Sequence, residues 1–276
     1  MGANYRLRPS FLDSAAGRVF TILFEPETSV TGAVLCIAPF GEEMNRTRSL
    51  MAMQARAFAQ RGIACLMPDL FGTGDSDGDL PETSWSIWLD DLDAAAGCLE
   101  RTTGCRPTLW GIRSGALLAA ELVDRFPDRF DRLLFWQPVV SGKSFVTQTL
   151  RQRVAALVDR GAPAESTAQM RAALADGNLV EVSGYLLPGA LTGAMDQRQL
   201  VDYQNLSDVK VEWLECVAEE GDALPGGSRR VIEALEARGA CIASQCVVAP
   251  PVWSLHQKAD ASPLVTATTG LFGTGQ

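Results

Sequence analysis

The chain has 276 residues, 47% of them hydrophobic, with a formal net charge of −9. This suits one large α/β core carrying an insertion. No apolar run reaches the roughly eighteen residues a membrane span needs, and the acidic balance argues against non-specific nucleic-acid binding. The opening MGANYRLRPSFLDS has no apolar signal core and reads as mature sequence, and Arg6 stands where a myristoylation signal would need Ser or Thr. Seven cysteines without a CxxC pair, and a single histidine, His256, leave no zinc-ligand spacing. The expectation is a reducing, cytoplasmic setting with no metal and no cofactor.

In chain order, the pattern predicts two strands at 4–8 and 17–25 joined as a hairpin, then a buried strand at 33–38 and a helix over 46–61. A strand at 63–68 follows, then a helix over 84–101 with Ser84 as N-cap. The strand 108–111 runs into a helix that Pro127 stops, and further strands fall at 133–138, 211–217 and 241–248, with a closing helix near 261–269. Short apolar runs alternating with helices are the pattern of a mostly parallel sheet covered on both faces, here of eight strands. Between the strands at 133–138 and 211–217 the rhythm breaks. About 65 residues of helical pattern (146–160, 166–176, 197–206) read as a helical cap inserted over the carboxyl edge of the sheet. The expected division is a core formed by residues 1–140 and 208–276, with residues 141–207 as the cap between them.

The strand at 108–111 leads into Gly111-Ile112-Arg113-Ser114-Gly115. Glycines two residues either side of a central position are the mark of a nucleophile elbow, a sharp strand-to-helix turn that holds one side chain over the sheet. The central residue is Arg113, which is never deprotonated and cannot attack a carbonyl. Three other features belong to the same architecture. Asp69-Leu70-Phe71-Gly72-Thr73-Gly74-Asp75-Ser76 follows a strand, and its glycines fit a tight turn around Asp69 better than a phosphate cradle, whose spacing it does not have. The loop Pro39-Phe40-Gly41-Glu42-Glu43-Met44-Asn45 lies where an oxyanion-hole amide is supplied, from Phe40 or Gly41, to pair with the amide of Ser114; as an isolated loop it reads equally well as an ordinary connection. The loop after 211–217 carries Glu219, Glu220 and Asp222, with Asp222 the best candidate acid, and the loop after 241–248 carries His256. A catalytic histidine would more naturally fall near Val252 or Trp253.

The segments 39–45 and 69–76 and Trp110-Gly111-Ile112-Arg113 with Gly115-Ala116-Leu117-Leu118, together with Trp85-x-x-Trp88-Leu89-Asp90-Asp91, Gly184-Tyr185 and Pro250-Pro251-x-Trp253, resemble the α/β-hydrolase-fold proteins called exosortase A system-associated hydrolases, type 2. The resemblance spans nearly the whole chain, and the Glu-Glu-Met-Asn loop is its most specific piece. It implies a serine hydrolase or aminopeptidase fold beside exopolysaccharide and exosortase functions, with proteins of that system as possible partners. The elbow arginine belongs to the same pattern.

Ser114 is a poor substitute nucleophile on geometric grounds. Its −2 neighbour is Ile112, which crowds the turn, and a one-residue shift rotates it about 100° from the exposed position. Helix capping is its simpler expected role. Three readings follow: an ester, thioester or amide hydrolase using Ser114, Asp222 and His256; a catalytically degenerate protein that holds an anion through Gly111, Arg113 and Gly115; or an interaction protein of an assembly. In all three the Arg113 guanidinium needs a partner, expected among Glu42, Glu43 and Asp222.

Overall fold

The computed structural model describes residues 5–255 and 259–273. The elements run β1 (Tyr5–Asp13), β2 (Arg18–Pro26), β3 (Gly32–Ile37), α1 (Glu42–Ala59), β4 (Ile63–Pro68), α2 (Trp85–Thr103), β5 (Pro107–Ile112), α3 (Gly115–Arg125) and β6 (Arg132–Trp136). Then come α4 (Gly142–Asp159), α5 (Thr167–Ala175), β7 (Val180–Val182), β8 (Tyr185–Leu187), α6 (Gly189–Asp196), β9 (Lys210–Val217), α7 (Gly226–Glu236), β10 (Cys241–Val248) and α8 (Ser262–Gly270).

Eight strands form one sheet in the order β1-β2-β4-β3-β5-β6-β9-β10, antiparallel through the β1–β2 hairpin and the β2–β4 pair and parallel from β4 onward. This is the α/β-hydrolase fold expected from the sequence. The central strands are buried on both faces, so they read as unbroken apolar runs rather than alternations. The period-two geometry still sorts their side chains. Leu35, Ile37, Leu109, Leu133, Phe135 and Trp213 face α2 and α3, while Val34, Cys36, Trp110, Ile112, Trp136 and Leu214 face α1 and α8. Cys36 and Cys65 are buried as small apolar residues, but Cys241 is exposed on the outer strand β10 and does not share that role.

The segment between β6 and β9 differs from the all-helical expectation. Helices α4 and α5 fall close to their predicted places, but 197–206 is not a helix: it holds two short 3-10 turns, at Leu200–Asp202 and Asn205–Asp208. A hairpin, β7–β8, and the helix α6 take up the space before it. The hairpin turns through Ser183 and Gly184, both at positive φ, which is the geometry of a two-residue hairpin turn. Strands of three residues are too short to show alternation in the sequence. Residues from this segment, including Phe145, Leu150, Leu174, Leu187, Leu191 and Met195, belong to the same apolar cluster as α2, α3 and the sheet. The insertion is therefore packed down on the core.

Carboxylates of α3 fasten it, Glu121 with the most donors. Glu121 on α3 accepts from Arg198 Nε at 2.7 Å and Nη2 at 3.3 Å, from Trp85 Nε1 at 2.7 Å and from Arg125 Nη2 at 3.1 Å. The Tyr203 hydroxyl donates to it at 3.3 Å. Burial pushes the Glu121 carboxyl up, but the Arg198, Trp85 and Arg125 donors together outweigh this and hold it below the usual range. Its contribution to stability is thus present at neutral pH and persists as the pH falls, until it is lost on passing through that lowered value. Glu121→Ala leaves Arg198 beneath the insertion without its carboxylate and should cost about 3 kcal/mol or more, read as a lower urea midpoint. An unchanged midpoint would show that the anchor lies elsewhere.

Candidate active site

The elbow is built by two close approaches. A side chain at Gly111 would meet the Ala116 backbone at 2.6 Å, and one at Gly115 would meet the Ile37 carbonyl oxygen at 2.2 Å. Only glycine lets β5 turn this sharply into α3 while α3 abuts the end of β3. Between them Arg113 sits at φ 52, in the left-handed region that a non-glycine residue occupies at a cost of about 1–3 kcal/mol. Neighbouring strand ends hold it there: the Arg113 N–H donates to the Trp136 carbonyl, and the Arg113 carbonyl accepts from the Val139 N–H, both at 3.0 Å. The backbone is that of a nucleophile elbow, with arginine in the nucleophile's seat.

The arginine is fully engaged. Its Nε and Nη2 donate to the two carboxylate oxygens of Glu43 at 3.2 Å each, and its Nη1 donates to the Gln137 carbonyl at 3.0 Å. Trp253 lies across the guanidinium, with 5.2 Å from Cζ to the ring centroid. Only 15% of either charged side chain is exposed. Bidentate, charge-assisted pairing of this kind is among the strongest side-chain contacts available, and the ring face adds a cation–π attraction. Of the three carboxylates expected near Arg113, Glu43 makes the contact. Glu42 pairs instead with Arg46 at 3.3 Å. Asp222 is exposed and turned to its own loop, where its Oδ2 accepts from the Glu219 N–H at 2.9 Å.

Helix α1 explains the choice. It starts at Glu42, one turn before the predicted position, so Glu42 and Glu43 belong to its first turn rather than to a loop. Carboxylates suit that position because the helix dipole is positive there. The helix aims Glu43 at the elbow.

Ser114 is 2% exposed. It stands at the N-cap of α3 but makes no capping bond; instead its hydroxyl accepts from the Phe40 N–H at 2.9 Å. That amide is one of the two, with that of Gly41, expected to serve an oxyanion hole, and an internal hydroxyl already fills it. The Phe40 ring packs against Trp88 of α2 and Phe145 of α4, with centroids 5.9 and 6.3 Å away, which seats the insertion directly on this loop. A small void of about 60 Å³ remains there, bordered by Phe40, Gly41, Glu43, Phe145 and Tyr185. His256 lies outside the described residues. Among those described, the residue that the loop after β10 brings to the elbow is Trp253, where the sequence placed a catalytic histidine most naturally.

Two participants escaped the sequence. Gln137, at φ 41, supplies its carbonyl to Arg113 while its Oε1 accepts from the Cys216 N–H at 2.7 Å. Glu215 is 1% exposed on β9; burial pushes its carboxyl up, against the pull of Ser228, Trp213 and Arg113. Neither has a local signal, because each is positioned by strand pairing. Trp253 did have one, in the Pro-Pro-x-Trp run.

Fold and elbow define an α/β-hydrolase-fold protein. The chain matches the family model for serine aminopeptidase, S33 (Hydrolase_4) over residues 28–211, and it belongs to that family. No curated protein sequence matches it significantly. Solved structures share the fold at low identity. The ferulic acid complex of Est1E from Butyrivibrio proteoclasticus aligns with TM-score 0.66 and 12% identity, covering 95% of this chain and 97% of that one. A hypothetical protein from Pseudomonas aeruginosa aligns with TM-score 0.63 and 17% identity over 98% and 94%. A thermostable carboxyl esterase from Bacillus coagulans, with bound glycerol, aligns with TM-score 0.62 and 11% identity over 98% of both chains. Among the described residues no helix is long and apolar enough to cross a membrane.

Burial pushes the Glu43 carboxyl up, and the attraction of Arg113 and Arg46 only partly opposes it. A carboxyl whose folded value is raised favours the folded state most at low pH, and that contribution is lost as pH rises through the folded value. In Arg113→Met the larger part of the opposing attraction disappears, so the Glu43 midpoint should move further up. Carboxyl-detected NMR titration reads this directly. A midpoint in the ordinary glutamate range in both proteins would show that the pair is not desolvated.

Proposed function

We propose that this chain is a hydrolase-fold protein whose elbow binds an anionic group of a ligand or partner rather than performing acyl transfer, with residues 141–207 as its cap. One observation carries the reading: the seat of the nucleophile holds a guanidinium whose fork is closed on the Glu43 carboxylate. A carboxylate that fits that fork is an internal copy of what an external carboxylate or phosphate would present. Burial works against the charge on Glu43, so the internal partner is displaceable. The Glu-Glu-Met-Asn segment that supplies Glu43 is also the most specific element of the resemblance to the exosortase A system-associated hydrolases, which supports a role beside exopolysaccharide and exosortase proteins.

The competing reading is hydrolysis of an ester, thioester or amide through Ser114, Asp222 and His256, and membership of the serine aminopeptidase family favours it. It requires Ser114 to leave the Phe40 amide and turn outward from a buried position, and Asp222 to leave its own turn.

A fluorophosphonate probe and a panel of acyl p-nitrophenyl esters and thioesters separate the two. Wild type and Ser114→Ala should give the same background labelling and rate, and Arg113→Ser should gain little. Labelling or turnover in wild type that Ser114→Ala abolishes would overturn the proposal. For the binding half, acetate and inorganic phosphate serve as probes by calorimetry. Glu43→Gln removes the internal competitor and should tighten acetate or phosphate about tenfold or more, and Arg113→Gln should remove the binding. Equal affinity in all three proteins would exclude Arg113 as the anchor.

A further inference from the structure

The elbow is filled, but the cleft beside it is not. Gly41 and Tyr185 border the small void near Glu43 and also a second, larger one of about 390 Å³ between the start of α1 and the turn 72–75. This volume is within the range of small-molecule sites. Tyr185, on the β7–β8 hairpin, borders it and accepts from Asn45 Nδ2 at 2.5 Å. We propose that this cleft binds an uncharged, hydroxyl-rich ring, the chemistry of a saccharide.

The glycine turn is a poor phosphate cradle, because four of its amides are spent internally. The N–H groups of Gly72, Thr73 and Ser76 go to the carbonyls of Asp77, Leu70 and Thr73, and the Asp75 N–H goes to Asp69 Oδ2. The charges exclude simple ions of either sign. Arg48 is tied to the buried Asp69 at 2.6 Å, and Asp75 adds a second, exposed carboxylate at the rim. One cation against two carboxylates repels an anionic ligand, while Arg48 in the same wall disfavours a bare cation.

What remains is a mixed set of donors and acceptors around an apolar lining. The Asp75 carboxylate accepts, and the half-exposed Arg48 has N–H groups beyond the one given to Asp69. Asn45 keeps its Oδ1, since its amide nitrogen serves Tyr185. Met44 and Leu80, both buried, supply the apolar lining, and Tyr185 borders the cleft beside them. Planar carboxylate, amide and guanidinium groups match neighbouring hydroxyls in pairs, and an aromatic ring with aliphatic side chains matches the C–H face of a pyranose.

The assignment does not depend on how the elbow behaves, so its test is separate from the esterase panel. Methyl glycosides of glucose, galactose, mannose and N-acetylglucosamine are screened by saturation-transfer NMR and titrated by calorimetry. At least one should bind, and methyl glucuronide should bind about tenfold more weakly than methyl glucoside. Asp75→Ala and Asn45→Ala alter exposed side chains, and each should weaken the bound glycoside about tenfold or more. The proposal is overturned if no glycoside binds, if binding is unchanged in both variants, or if the glucuronide binds best.

Discussion

A buried cation at a left-handed backbone position is the constraint around which the upper edge of this molecule is arranged. Gly111 and Gly115 force β5 into α3 at the only angle that the end of β3 allows, so the side chain at 113 must rise over the carboxyl edge of the sheet. With arginine there, the charge cannot be discarded by deprotonation, and leaving it unpaired would cost several kcal/mol. Three elements converge on it: the first turn of α1 brings Glu43, the end of β6 brings the Gln137 carbonyl, and the loop after β10 brings Trp253. Each comes from a different region of the chain.

The consequence extends to Ser114. With residue 113 in the exposed seat, the next residue is turned about 100° away, into the protein. Its hydroxyl there needs a partner, and the Phe40 N–H needs an acceptor; the two satisfy each other. An acyl-transfer site of this fold needs an exposed nucleophile, a base beside it and two free amides. Here one seat holds a cation, an indole covers it, and one amide is spoken for by a hydroxyl. These features are mutually consistent under the binding proposal, since a fold shared with esterases does not by itself carry esterase chemistry.

Much of this was legible before the structure. The apolar runs located the inner strands because parallel strands covered on both faces are built mostly of apolar residues, and the Gly-x-x-x-Gly spacing located the elbow because close backbone approach admits nothing else. The identity of the arginine's partner was narrowed to three carboxylates but not to one, since the answer depends on where α1 begins. The pattern places its start near 46, yet the helix starts at Glu42 under Gly41, with no side-chain cap at all. The hairpin 180–187 was hidden by its three-residue strands, and the Arg113–Trp253 contact by a separation of about 140 residues.

The balance of forces at the pair bears on why it exists. Glu43 is held above its ordinary range even with a bidentate guanidinium against it, so desolvation outweighs the attraction for that partner. A buried ion pair in that condition adds little to stability that well-packed apolar side chains of similar size would not supply. The fold does not require it either, since the glycines alone set the turn. A charge pair that neither the backbone nor the core needs, placed where this fold presents its reactive group, is what the anion-binding proposal accounts for: on that reading Arg113 keeps a positive fork preformed, and Glu43 occupies it until a better anion arrives.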